Sequence, residues 1–262
     1  MQPWFDGLSI WTTLLGSFIV LLAAAELGLR AGIWHRRRGA GPDDMIGSLH
    51  GATLGLLALM IGFTFSIALG RFDARREAVL QEANAIGTAA LRARMLPELQ
   101  VNASLALLRD YAQGRIIDDG TRIGTLEASD FTQRATALQN RLWREAEAAS
   151  AADARSVPIG LYVQALNDVI DMHEKRITGL RSRVPAIVFA MLHGIAALAL
   201  GFTGYNAGLG ERGHRVAVML MAAMLASVMM LVADLDAPQR GMVMVSQQPL
   251  QDLLAGFPQP PR

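Results

Sequence analysis

The chain has 262 residues, of which 52% are hydrophobic and only 18% charged, where a soluble globular domain carries about 25% charged residues. Its formal net charge is +1, with no basic domain or stripe, which excludes nucleic acid as a partner. Cysteine is absent, which removes disulfides, thiolate metal sites and cysteine nucleophiles without choosing a compartment.

The apolar residues collect in four runs: Ser9–Ile33, Ile46–Gly70, Val184–Tyr205 and Val216–Ala233. Each has the length, roughly 20 residues, that a helix needs to cross a bilayer. They are too long and continuous for barrel strands. The expected fold class is an all-α membrane protein with four transmembrane helices. A water-exposed helical bundle lies between spans 2 and 3, and helices 2 and 3 extend beyond the lipid bilayer. The expected division is 1–70 for spans 1 and 2, 71–183 for the extramembrane helical domain, 184–235 for spans 3 and 4, and 236–262 for a C-terminal tail.

The n-region Met1–Leu8 has no Lys or Arg and contains Asp6, and the following run is too long for a signal peptide, so it reads as an uncleaved first span. Glu26 and Arg30 stand four residues apart near its end and share a face. They read as an interfacial pair with Arg30 snorkelling, or, in the sharper reading, Glu26 faces a watery cavity. Trp34-His35-Arg36-Arg37-Arg38 follows as an aromatic anchor and a basic short loop. Arg212 and Arg215 mark the other short loop, on the same side. Arginine-rich short loops stay cytoplasmic. The expected location is therefore a bacterial inner membrane, with both termini and the central helical domain outside the cytoplasm.

The second span has two faces. Gly47, Gly51, Gly55, Ala58, Gly62 and Ser66 fall on one side, a small-xxx-small pattern that lets helices approach closely. His50, Thr53, Leu57, Met60, Ile61 and Thr64 fall on the other. That sparsely polar face suits a helix lining something. Alternatively Thr53 and Thr64 bond their own backbone and His50 sits at the interface. No turn signal marks the switch from apolar to charged sequence at Arg71, and Gly70 is a lone glycine in a helical pattern. One long helix leaves the bilayer and continues into water until Pro97. Phe72, Val79, Ala83, Ile86 and Ala90 form its apolar stripe.

A second water-side helix is expected over Glu98–Ile116, a turn at Asp118-Asp119-Gly120, and a third helix from a Ser129 cap to Ala149. Pro158 suits the start of a fourth. There Ile159, Val163, Leu166, Ile170, His173, Ile177 and Leu180 step by four and three like a coiled-coil seam, which Val184 and Ile187 carry into the third span. His173 is a core or register residue, or a polar switch that titrates near neutrality. His193, in the middle of the third span, faces protein or water and is the second candidate polar switch. The methionines of the fourth span read as adaptable packing. Asp234-Leu235-Asp236 reads as re-entry into water, with cation binding as the other option. The Pro-rich end Phe257–Arg262 reads as disordered. No nucleophile elbow, zinc-protease, P-loop or dinucleotide motif occurs, so no enzyme and no cofactor are expected.

The segment Gly62–Gly87, with Phe63-Thr64-Phe65-Ser66, Arg71-Phe72-Asp73, Arg76 and Glu82-Ala83-Asn84-Ala85-Ile86, resembles the bacterial bestrophin-like domain family. So does Asp234-Leu235-Asp236-Ala237-Pro238-Gln239-Arg240-Gly241 with Val245-Ser246-Gln247-Gln248-Pro249-Leu250, although Ala237 departs from the family pattern. The family is more distantly similar to bestrophin anion channels, in which several subunits, typically five, surround one axis lined by the second span. That resemblance implies a homo-oligomer, a pentamer, passing chloride or other small anions. It makes Met60, Ile61, Thr64 and Ile67 candidate pore-lining residues, and Arg71, Arg75 and Arg76 a candidate anion mouth unless they pair with Asp73, Glu77 or Glu82. Gly47, Gly51, Gly55 and Gly62 are the candidate packing face. The alternative is a non-conducting structural or sensing protein whose helical stalk binds a partner. In bestrophin channels the central helices are cytoplasmic, opposite to the side that the loop charges give here.

Overall fold

The computed structural model describes residues 10–39, 41, 44–117, 126–210, 215–238 and 241–258. Eight helices and no strand occur among them: α1 (Ile10–Arg37), α2 (Asp44–Ala93), α3 (Glu98–Gly114), α4 (Leu126–Ala152), α5 (Val157–Arg181), α6 (Ala186–Leu209), α7 (Arg215–Asp236) and α8 (Gln248–Ala255). Four stretches are long and apolar enough to cross a membrane, and they contain α1, α2, α6 and α7. The expected turn at Asp118-Asp119-Gly120, the N-terminal Met1–Leu8, Arg212, the signature residues Gln239-Arg240 and the end 259–262 lie outside the described residues.

Several boundaries differ from expectation for identifiable reasons. His35, Arg36 and Arg37 form the last turn of α1 and are not a loop. There they complement the negative end of the helix dipole. Ser129 lies inside α4 and does not cap it. The α5 seam does not run on into the third span. The chain leaves helix geometry at Ser182, and α6 begins only after Pro185. A residue before proline is pushed out of the α region, and proline offers no N–H to the preceding turn. By contrast α2 continues without a break from its apolar span into more than twenty residues of charged, water-side sequence, Gly70 included.

The chain divides into two compact units, residues 1–70 with 183–237 and residues 71–182 with 238–262. The membrane unit has a core of Leu21, Ala25, Leu57, Leu192, Ala196, Leu200, Ala222, Ala226 and Met229. Its tightest contact is between α1 and α6. A Cβ added at Gly28 would overlap the backbone of Gly201, one at Gly32 that of Tyr205, one at Gly204 that of Ala25 and one at Gly208 that of Leu29. Backbone against backbone is possible only without side chains, as in other small-xxx-small crossings. Asp234 and Asp236 are buried and do not face water. The Asp236 carboxylate accepts a hydrogen bond from the Val184 N–H at 2.9 Å and so ties down the chain entering α6.

The helical unit buries the α2 stripe Val79, Ala83, Ile86 and Ala90 with Leu105, Leu108, Tyr111, Leu142, Tyr162, Leu166 and Val169. The C-terminal segment is not a tail in this unit. It carries α8, and Leu250 and Phe257 join the same core, so Phe257 is ordered by burial.

Candidate functional site

Within the membrane unit, α2 turns one face inward. Leu57 and Thr64 are buried, and Leu54, Met60 and Ile61 pack against the core. The Thr53 and Thr64 hydroxyls donate to their own helix, to Leu49 O at 2.8 Å and Met60 O at 2.7 Å. The hydroxyl of Thr203 donates to Ala199 O, so its oxygen accepts from His50 Nε2, 2.9 Å away. The sparsely polar face that read as lining something is thus occupied by the protomer's own core. Of the four candidate pore residues, Ile67 alone is exposed, at 49%.

The opposite arc is bare. Among the described residues nothing lies within 4 Å of a Cβ placed at Gly47, Gly51, Gly55, Gly62 or Gly70. Beside these glycines Leu59, Phe63 and Ile67 stand one helical turn apart, 54%, 61% and 49% exposed. The uncovered face of α2 therefore carries a smooth glycine strip and a row of large apolar side chains.

The three mouth arginines separate. Arg71 donates to the Ser182 hydroxyl, Arg76 is exposed in a groove with Asp73 and Glu77, and Arg75 is buried in the helical unit. Glu82 sits wholly buried at the centre of an ionic core with two further arginines. Arg115 Nε donates to its Oε1 at 2.6 Å, and Arg176 Nη1 to its Oε2 at 2.5 Å. The Tyr111 hydroxyl also reaches Oε1, at 3.4 Å, and accepts from Gln139 at 3.2 Å. Burial, with Glu82 adding to it, raises the Tyr111 pKa far above the usual phenol range and keeps the hydroxyl a donor. The Arg115 guanidinium lies 4.3 Å from the Phe131 ring centroid, a cation–π contact. Arg176 Nη2 reaches Gln247 Oε1 at 2.8 Å. Neither Arg115 nor Arg176 stood out in the sequence, because each lies far from Glu82 along the chain and no spacing rule links them.

Of the two histidines that read as polar switches, His193 accepts from or donates to Ser17 Oγ at 2.9 Å and bonds Phe189 O at 2.8 Å. Since a carbonyl only accepts, Nδ1 carries the proton and Nε2 accepts from Ser17. His173 is buried in the helical unit, and among the described residues neither of its ring nitrogens finds a hydrogen-bond partner. Burial, then the Arg115 charge, lowers its pKa below the ordinary imidazole value and holds it neutral.

A family model, the bestrophin-like domain, matches residues 17–250. The chain belongs to the bestrophin-like family. Bestrophin homologues from Klebsiella pneumoniae share its fold. One crystal structure superposes with a TM-score of 0.67 at 14% identity, over 93% of this chain and 99% of that one. A point variant of that homologue gives 0.69 at 14% identity, over 93% and 97%. No curated protein sequence matches. Membership of the bestrophin-like family, with four apolar helices, makes this a multi-pass membrane protein.

Proposed function

We propose that copies of this bestrophin-like chain assemble, as a pentamer, around an axis lined by α2, and conduct chloride or other small anions through a bacterial inner membrane. The observation that supports this most is the bare α2 arc. Leucine and phenylalanine alone would suit lipid, but a glycine strip gains nothing from lipid and much from a neighbouring helix. Copies packed through that strip bring Leu59, Phe63 and Ile67 into apolar rings, and such constrictions gate by dewetting. Ile67 is the residue this row shares with the face expected from resemblance. Thr64, Met60 and Ile61, used by the protomer's own core, are left out. Arg71 and Arg76 supply cationic charge at the charged end of α2, where rings of cations select anions. Arg36, Arg37, Arg38, Arg212 and Arg215, close to the ends of the spans, favour a helical unit outside the cytoplasm.

The test is purified protein in mild detergent and in liposomes. A symmetric oligomer with chloride flux supports the reading, and a monomer without flux overturns it. The second reading, a non-conducting protein whose helical unit binds a partner, is favoured by one observation. Leu91, Leu99 and Val157 of the helical unit are 58%, 85% and 71% exposed.

A further inference from the structure

Where α1 ends and α7 begins, the membrane unit joins an apolar wall to outward-facing arginines. Val20, Leu27, Arg30, Trp34 and Arg38 follow one another by seven, three, four and four residues, so they share one face of α1 and its continuation. All five are exposed. Alongside them α7 opens with Arg215 and the exposed Val216. The two helices meet at Glu26, whose Oε1 lies 3.0 Å from Arg30 Nε and 3.8 Å from Arg215 Nη2. One carboxylate thus faces two guanidiniums, and the Arg30 and Arg215 side chains remain 74% and 67% exposed. Across residues 26–44 and 211–215, six arginines stand against four carboxylates, with Asp43, Asp44 and Glu211 counted.

The Arg38 guanidinium lies 3.6 Å from the Trp34 ring centroid, a cation–π contact with an aromatic of the kind that sits at headgroup level. What fits such a surface is an amphiphile with an anion at one end. Arginine offers a phosphodiester two parallel N–H groups, and exposed apolar side chains of a span take acyl chains. A soluble anion would use the arginines and leave Leu27 and Val216 without a partner. A zwitterionic headgroup brings a cation of its own, which the surplus of arginine disfavours.

We propose that this edge of the membrane unit binds an anionic phospholipid. Its phosphate sits at Arg30 and Arg215, the rest of its headgroup lies toward Trp34 and Arg38, and its acyl chains run along Leu27 and Val216. Basic clusters at the ends of spans recognise anionic lipid in this way. The site lies on α1 and α7, apart from the bare α2 arc, and stands whether or not the protein conducts.

The test is native mass spectrometry of the full-length protein in detergent, titrated with phosphatidylglycerol or with phosphatidylethanolamine of the same acyl chains. The expected result is several-fold more phosphatidylglycerol bound. Arg30→Gln with Arg215→Gln is expected to bring it down to the phosphatidylethanolamine level. Arg215→Gln alone, which leaves the Glu26–Arg30 pair in place, is expected to lower the preference in part. Arg141→Gln with Arg144→Gln removes the same charge from exposed positions of α4 and is expected to leave the preference intact. Inorganic phosphate is not expected to displace the lipid, because it has no acyl chains to lie on α1. Equal binding of the two lipids by the wild type overturns the proposal. So does a preference that survives loss of both Arg30 and Arg215, or one that falls equally in the α4 pair, which would make it a matter of overall charge. Displacement by inorganic phosphate would reassign the site to a free anion and overturn the lipid as well.

Discussion

The membrane unit and the helical unit hold their helices together by opposite means. Between α1 and α6, glycines at 28, 32, 204 and 208 bring backbone onto backbone, with no side chain in between. In the helical unit, long side chains from α2, α3 and α5 meet at a buried carboxylate held by two arginines. The difference follows from the surroundings. Among apolar spans a hydrophobic contact gains little over lipid, so shape and close approach decide. In the water-side bundle ordinary apolar burial drives association, and the ionic core adds specificity to a contact already favoured. One unit is therefore sensitive to volume, the other to charge.

The sharpest way to break that contrast is Gly204→Leu. The new side chain meets the backbone of Ala25, which cannot swing away. Losses above about 4–5 kcal/mol are exceptional and are tied to such causes, and no folded, monodisperse protein is expected by size exclusion. Normal yield would show that α1 and α6 pack otherwise. Next is Glu82→Gln. It keeps the volume but leaves two buried guanidiniums facing an amide, a loss of about 3–5 kcal/mol, read as a lowered unfolding midpoint. An unchanged midpoint would mean that the arginines are solvated after all.

The smallest effect sharpens the picture of His173. Because its folded pKa lies below the ordinary value, the unfolded chain takes up the proton first as pH falls. This contribution to stability is therefore fully present above about pH 6.5 and is lost below it. The unfolding midpoint of the wild type is expected to drop between about pH 7 and 5.5 more steeply than that of His173→Leu. Equal slopes would remove His173 from the account.

Much of this was legible in the sequence. The four apolar runs, the unbroken passage through Gly70 and the stripe Val79, Ala83, Ile86, Ala90 follow from composition and period alone. The signature residues at both ends of the chain point to the family. The direction in which α2 turns was not legible. A glycine strip and a sparsely polar face are both able to meet protein, and only the partners of Leu57 and Thr64 decide which one the protomer keeps for itself. The α1–α6 crossing did leave a signal, since Gly28 with Gly32 and Gly204 with Gly208 each have the small-xxx-small spacing. The Glu82–Arg115–Arg176 cluster left none, because long-range charge pairing has no local period. The break at Pro185 has a sequence signal in the proline itself, which the apolar seam through Val184 and Ile187 runs straight across.

Chloride flux into liposomes from purified Phe63→Arg and Thr64→Val, side by side with wild type, tests the orientation of α2 most directly. Phe63 lies on the bare arc and Thr64 faces the protomer's core. The account predicts conduction in the wild type, a changed rate or ion preference in Phe63→Arg, and wild-type flux in Thr64→Val. Flux that is indifferent to Phe63→Arg but altered by Thr64→Val would contradict it.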